Sequence, residues 1–273
     1  MTLQELTNTH AAETLAFLAE RPLHTVIMAG FINDNGIVNP LNRGAFYACR
    51  NEQDQIEGIA LIGHLTLFEA RTDAALEAFA QHARSCPHIY TITGEQEKLE
   101  RFWEHYATDG RLPRQLSCEF LYVQHEFVEM PSVGDVRSAR PDDIEVLLPL
   151  YAMMVFEASG INPLETDPLG FRLRLVRRVE QGRVLVWIEQ QEVLFTASII
   201  SDTPTANYLE GVYVNPAHRG KGYGLRCMSQ VSKKLLARTR SICGFVNEQN
   251  SVAQAFYRKA GYELDSCYKK IYV

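Results

Sequence analysis

Residues 212–224 read VYVNPAHRGKGYG. Gly220, Gly222 and Gly224 fall within five positions, with Arg219 and Lys221 among them, directly after an apolar run. Glycine loses more backbone freedom on ordering than any other residue, so the cluster needs a reason. One reason is a plain surface turn. The other is a loop that turns its backbone N–H groups toward something negative. Ahead of the loop, NYLEGVYV has strand character. Behind it, LRCMSQVSKKLLARTR places Leu225, Met228, Val231 and Leu235 on one helical face. A loop that opens onto a helix start offers unpaired amides and the positive end of the macrodipole. Glycines there let amides converge and a phosphate approach closely, so the expected ligand carries phosphates, a pyrophosphate above all. The stretch is not a P-loop, since G-x-x-x-x-G-K-[ST] is absent. Nor is it the dinucleotide G-x-G-x-x-G, because the third glycine falls too early.

Working outward, SICGFVN reads as a strand, SVAQAFYRKAG as a helix ended by Gly261, and CYKKIYV as a last strand. Upstream, RVLVWIEQQEVLFTASII is a hairpin over Gln190–Gln191, and residues 170–181 form a basic amphipathic helix bearing Arg172, Arg174, Arg177 and Arg178. That basic face suits an acidic acceptor or plain solvation. A further helix starts near Pro141-Asp142-Asp143, where an aspartate can cap free N–H groups. The short polar stretch QHEFVEMPSVGDV, 124–136, is a linker or an exchange of strands between two halves.

The first half follows a similar plan. A helix is expected over 11–20, two strands in YACRNEQDQIEGIALIGHLTLFEA across the turn Asn51–Gln55, and a helix in DAALEAFAQHARS with Leu76, Phe79 and Ala83 on one side. HIYTIT is a short strand, EQEKLERFWEHY a helix and CEFLYVQHE a closing strand. The fold class is α/β, in two similar halves with no evident residue identity between them. With 46% apolar and 22% charged residues, and no run long enough to span a membrane, the chain is that of a globular protein without a membrane role. Its opening segment has acidic residues and no basic n-region, so a helix is expected there and not a signal peptide. Six cysteines without any C-x-x-C argue against a disulfide framework or zinc site and for the cytoplasm. A net charge of −6 weighs against nonspecific nucleic-acid binding.

The loop Arg219-Gly220-Lys221-Gly222-Tyr223-Gly224 resembles the pyrophosphate loop of the GNAT acetyltransferases, R/Q-x-x-G-x-G/A. Downstream, NSVAQAFYRKAGY resembles the same superfamily's N-x-x-A-x-x-x-Y-x-x-x-G-F/Y pattern at Asn250, Ala253, Tyr257, Gly261 and Tyr262. Two patterns in the right order are far more specific than either alone. More weakly, the whole chain is similar to bacterial tandem-GNAT proteins, through ITGEQEKLERFW (92–103) and FEASGINPL (156–164). The resemblance implies two GNAT-like domains, each a mixed, mostly antiparallel sheet flanked by helices. Residues 1–129 would be a degenerate domain without a pyrophosphate loop, and 130–273 the catalytic one, with a splayed pair of central parallel strands. In the first half ALIGHLTLFEA runs almost directly into TDAALEAFAQ, with no glycine loop between.

What the resemblance implies chemically is transfer of an acyl group, acetyl above all, from acetyl-CoA to a primary amine by direct attack in a ternary complex. Pantetheine would pair with the backbone of Val212, Tyr213 and Val214, and the pyrophosphate would sit on amides from Arg219 to Leu225. An N–H of Val212 or Tyr213 would hold the thioester oxygen as it becomes an oxyanion. Tyr257 would donate to the leaving thiolate, or is simply a core aromatic. Glu210 is the first candidate base, or a solvated strand carboxylate, and Glu157 the second. Asn247 would contact pantetheine or substrate, and Asn250 would cap its helix or touch the donor. Cys227 reads as core. No metal is implied. The acceptor would be a small-molecule or peptide amine, with no nucleic acid and no membrane, and a homodimer is compatible with all of this. The competing readings are a non-catalytic acyl-CoA sensor and, less in keeping with the acidic balance, an aminoacyl-tRNA-dependent transferase.

Overall fold

The computed structural model describes residues 1–273. In chain order the elements are β1 (Thr2–Glu5), α1 (Ala11–Leu18), α2 (Pro22–Asn35), β2 (Gly44–Arg50), β3 (Ile56–Gly63), β4 (Leu65–Ala70) and α3 (Asp73–Arg84). Next come β5 (Thr91–Glu95), α4 (Gln96–Tyr106), β6 (Gln115–Gln124), β7 (Arg137–Ser138), α5 (Ile144–Ser159), α6 (Pro163–Thr166) and α7 (Pro168–Glu180). The remainder is β8 (Val184–Glu189), β9 (Glu192–Asp202), β10 (Ala206–Val214), α8 (Tyr223–Leu236), β11 (Ser241–Asn247), α9 (Ser251–Lys259) and β12 (Glu263–Tyr272). These build two compact units. The first comprises Met1–Val123 with Phe245–Gln254 and Leu264–Val273; the second comprises Gln124–Gly244 with Ala255–Glu263. Almost all of the last strand therefore belongs to the first unit.

In the first unit the strand order is β1-β2-β3-β4-β5-β12-β6, antiparallel from β1 to β4, with β4 parallel to β5 and β12 antiparallel to β5. Strand alternation sends Ile59 and Leu61 of β3 to one core with Leu18, Met28 and Ile32, and Ala60 and Ile62 to another with Leu76, Phe79 and Phe102. The spacing of Leu76, Phe79 and Ala83 on α3 does bury those three residues. One expectation is corrected: the second strand of the 47–70 stretch is two strands, broken at His64. The backbone of His64 leaves the hairpin, donating to Arg43 O at 2.9 Å and accepting from Tyr90 N at 3.1 Å and Thr91 N at 3.0 Å.

In the second unit the order is β7-β8-β9-β10-β11, antiparallel except for the parallel pair β10–β11. The hairpin between β8 and β9 turns at Gln190 and Gln191, φ +47° and +64°, as two-residue hairpin turns of this hand require. Helices α5 and α7 bury Leu147, Tyr151, Phe171, Leu175 and Val179 with Val184 and Val186 of β8. The basic face of α7 is ion-paired in part: Arg172 reaches Glu145 at 2.5 Å and Arg174 reaches Asp167 at 2.9 Å. No helix in the chain is long and apolar enough to cross a membrane.

Candidate functional site

The site is built where β10 hands the chain to α8. Residues Pro216–His218 form one short turn of 3-10 helix after β10, anchored by Asn215. Its side chain accepts from Ala217 N at 3.0 Å and donates to Glu192 Oε1 at 2.7 Å. Gly220 and Gly222 then adopt φ of +76° and +77°, with open space where a Cβ would stand. Their requirement is therefore conformational, since other residues populate that region only at a cost. Gly224 has a different reason. A Cβ there would lie 2.8 Å from Val214 Cγ2 and 3.0 Å from Phe256 Cε2, so its hydrogen lets the helix start close onto the strand.

Gly222 is the N-cap of α8, no side chain caps the helix, and its first turn holds no acidic residue. The leading N–H groups thus have no side-chain acceptor at the positive end of the macrodipole. Arg219 and Lys221 brace the loop from outside, Arg219 Nε on Val214 O at 2.9 Å and Lys221 Nζ on Ala217 O at 3.2 Å. Tyr223 and Leu225 are half-buried, and Cys227 is fully buried, its thiol pushed up to about 12 by burial, which suits packing and not nucleophilic attack.

The parallel ladder between β10 and β11 spans Ala206↔Ser241, Asn207↔Ile242 and Tyr208↔Cys243. Beyond Tyr208, β10 runs on through Glu210, Gly211, Val212, Tyr213 and Val214 with β9 alone as its registered partner. There Glu210 faces Ser198 and Tyr213 faces Thr196, so β10 carries one residue more than β9 across this interval. Such a bulge re-aims backbone groups and is common beside active sites. Gly211, φ +66°, makes the bend. Its signal was present in the sequence as a lone glycine in a strand.

Tyr257 lies on α9, 6% exposed, edge-on to Phe256 and Tyr262. Its hydroxyl stands 3.6 Å from where a Cβ on Gly244 would be. Burial, then the Glu210 carboxylate, pushes this phenol well above its ordinary pKa, so it is a neutral donor at physiological pH. Glu210 is exposed, and its carboxylate adds to the effect of burial in raising the phenols of Tyr257 and Tyr151. Glu157 is also exposed, and after burial and Glu192 it adds a little to raising the Tyr213 phenol. Asn247 and Asn250 lie in the first unit. Asn247 donates to Ser117 Oγ at 2.9 Å, and Asn250 accepts from Ala253 N at 2.9 Å, which caps the start of α9. No group of three or more His, Cys, Asp or Glu residues is placed to hold a metal ion. The residue missed from sequence is Tyr151, whose partners on β9 are 45 and 47 residues away.

Residues 180–264 match the family model described as an acetyltransferase (GNAT) domain. Comparison with curated proteins gives no match. Among solved structures, a Drosophila protein is 15% identical with a TM-score of 0.70, covering 99% of this chain and 98% of its own. A tandem GNAT protein from the clavulanic acid biosynthesis pathway is 12% identical with a TM-score of 0.60, covering 100% and 98%. A GNAT-family acetyltransferase from Colwellia psychrerythraea is 11% identical with a TM-score of 0.56 over 100% of both chains. At these identities the likeness is one of fold, and it extends over the whole chain.

Proposed function

We propose that the second unit is an acyl-CoA-dependent N-acyltransferase that moves an acetyl group from acetyl-CoA to a primary amine by direct attack in a ternary complex. The observation that carries this reading is the start of α8, with two left-handed glycines, no side-chain cap and no acidic residue. That arrangement favours a pyrophosphate on the amides from Arg219 to Leu225. Past Tyr208 β10 has no ladder on its β11 side, which leaves that side of the backbone of Val212, Tyr213 and Val214 for the amides of the pantetheine arm. At the bulge, an N–H of Val212 or Tyr213 stabilises the thioester oxygen as negative charge grows on it. Holding amine and thioester together supplies much of the rate.

The incoming ammonium gives its proton to Glu210 or Glu157, and its freed lone pair attacks the thioester carbon. As the carbon–sulfur bond breaks, the Tyr257 hydroxyl gives its proton to the departing sulfur, and the second proton that the nitrogen sheds as the amide forms restores the phenol through solvent. A phenol raised by burial is a poor acid in water, yet the same burial raises the pKa of the thiol that forms, so the match survives. Glycine-loop chemistry belongs to the second unit alone, and the first is a degenerate GNAT-like domain with no donor site. The acceptor class is a small-molecule or peptide amine.

Calorimetric titration of the full-length protein with acetyl-CoA tests this reading. One site per chain, abolished in Gly222→Glu, is expected. Two sites would overturn the assignment of the first unit, and no binding would overturn the acyltransferase reading altogether. With binding in hand, a screen of amines finds the acceptor, and Tyr257→Phe should then lower kcat by roughly tenfold or more, as loss of a positioned proton donor does.

A further inference from the structure

Opposite the bulge stands a side chain that the reaction above does not use. Tyr151 of α5 is 6% exposed, and its hydroxyl bonds with both Thr196 Oγ1 at 2.9 Å and Ser198 Oγ at 2.7 Å. Thr196 and Ser198 are themselves buried, at 0% and 1%. Their place on β9 is what matters. Thr196 faces Tyr213 and Ser198 faces Glu210, so the two hydroxyls mark the ends of the interval where β10 has its extra residue. The Tyr151 ring also lies over the bend: a Cβ on Gly211 would be 3.4 Å from Tyr151 Cε1 and 3.6 Å from Met154 Cε.

A phenol has one hydrogen to give and lone pairs to receive, so it can donate to one of these hydroxyls and accept from the other. The result is a three-hydroxyl chain centred on Tyr151 in a dry environment, where polar groups left unpaired are costly. An extra residue in an antiparallel ladder can otherwise migrate when neighbouring pairs shift, and each shift re-aims the backbone. Tying 196 and 198 to one rigid side chain on a separate helix holds the β9 side of that ladder fixed.

We propose that Tyr151 is a positioning residue that pins the β10 bulge, keeping the Val212 or Tyr213 N–H aimed at the thioester oxygen. This inference rests on the acetyl-CoA reading of the same site. An oxyanion donor must stand within a few tenths of an ångström of its best distance, and misplacement of about 1 Å is enough to cost roughly a hundredfold in rate.

Tyr151→Phe is the informative variant, because it keeps the ring over Gly211 and removes only the hydroxyl. The readout is the carbonyl stretch of acetyl-CoA labelled with carbon-13 at the thioester carbon, bound to full-length protein and followed by isotope-edited infrared spectroscopy. The wild-type chain should lower that frequency relative to free acetyl-CoA. Tyr151→Phe should lose at least about half of the shift while its affinity for acetyl-CoA changes by less than about threefold, since the pyrophosphate contacts are elsewhere. A second variant, Tyr151→Phe with Thr196→Val and Ser198→Ala, removes the stranded hydroxyls and should recover thermal stability without recovering the shift. If the shift returns with stability, or never falls in Tyr151→Phe, the hydroxyl is structural and the inference is overturned while the donor assignment stands. A wild-type chain that binds no acetyl-CoA overturns both.

Discussion

Each unit contains a parallel strand pair whose strands are joined through a helix, and the two pairs begin alike. The β4–β5 ladder spans Leu65↔Thr91 to Leu67↔Thr93, and the β10–β11 ladder spans Ala206↔Ser241 to Tyr208↔Cys243. Three registered pairs each, and then they part. In the first unit Phe68 fills the space beyond the ladder, stacked on Phe102 at 4.6 Å and resting where Gly94 lacks a side chain. Past it, Arg21 joins Glu69 of β4 at 2.9 Å to Glu95 of β5 at 2.6 Å, and Lys98 reaches both carboxylates. What remains, among His24, Thr93 and Tyr268, is a cavity of about 20 Å³, room for roughly one water molecule.

The helix starts differ in the same sense. Thr72 caps α3 through Ala75 N at 3.4 Å and Asp73 occupies its first turn, so side chains of the protein already use the amides and the dipole. At α8 neither is present. A shared strand arrangement thus becomes a filled, self-neutralised junction in one unit and an open one in the other, by a handful of side chains and no change in topology.

That contrast can be broken from several directions. The largest effect expected is from deleting Leu264–Val273. It removes the strand paired with β5 from Tyr268↔Glu95 to Tyr272↔Thr91, and the buried Tyr268, Ile271 and Tyr272 with it. Circular dichroism melts should lose the cooperative transition of the first unit, because the area removed is worth on the order of the whole stability of a small domain. Next is Gly222→Glu, which places a carboxylate in a left-handed position at the anion site. Affinity for acetyl-CoA should fall at least about a hundredfold, some 2.7 kcal/mol, while Thr72→Ala leaves it unchanged.

Arg21→Met comes third. It leaves Glu69, whose side chain is only 8% exposed, to share Lys98 with Glu95, and should destabilise the first unit by about 2 kcal/mol, less than a wholly unpaired buried carboxylate costs. The same junction gives a pH signature. Burial opposes ionisation of Glu95, but hydrogen bonds from Arg21 and Lys98 outweigh it and hold its pKa at about 2 against an ordinary 4.5. A depressed carboxylate stabilises the fold above its unfolded pKa, and that contribution fades as pH falls from about 4.5 toward 2. Urea midpoints measured over that window should drop steeply in wild type and less steeply in Arg21→Met. The smallest effect is Thr72→Ala itself, about 1 kcal/mol from the lost cap, read as a lower melting temperature.

Legibility from sequence follows how local each feature is. The turn at Gln190–Gln191, the faces of α3 and α8, and the glycine run at 220–224 depend on residues a few positions apart, and each could be read directly. The two reasons for the glycines could not be separated, since the contact of Gly224 with Val214 and Phe256 joins segments ten and thirty-two residues distant. The break at His64 depends on Arg43 and Tyr90, and the Tyr151 hydroxyl chain spans 45 residues or more. Nor does a strand pattern name its sheet. CYKKIYV reads as a strand in any arrangement, and only its pairing with β5 assigns it to the first unit.

The placement of that strand has a consequence for how the protein is made. A chain leaving the ribosome ordinarily completes its first domain while the second is still being synthesised. Here residues 1–123 must wait for 264–273, which emerge after the whole of 124–244. Until then the outer edge of β5 has no β12 to pair with, and an unpaired strand edge invites other chains. The two units are therefore coupled through the order of synthesis: a nascent chain stalled anywhere before residue 264 has no complete first unit to fold.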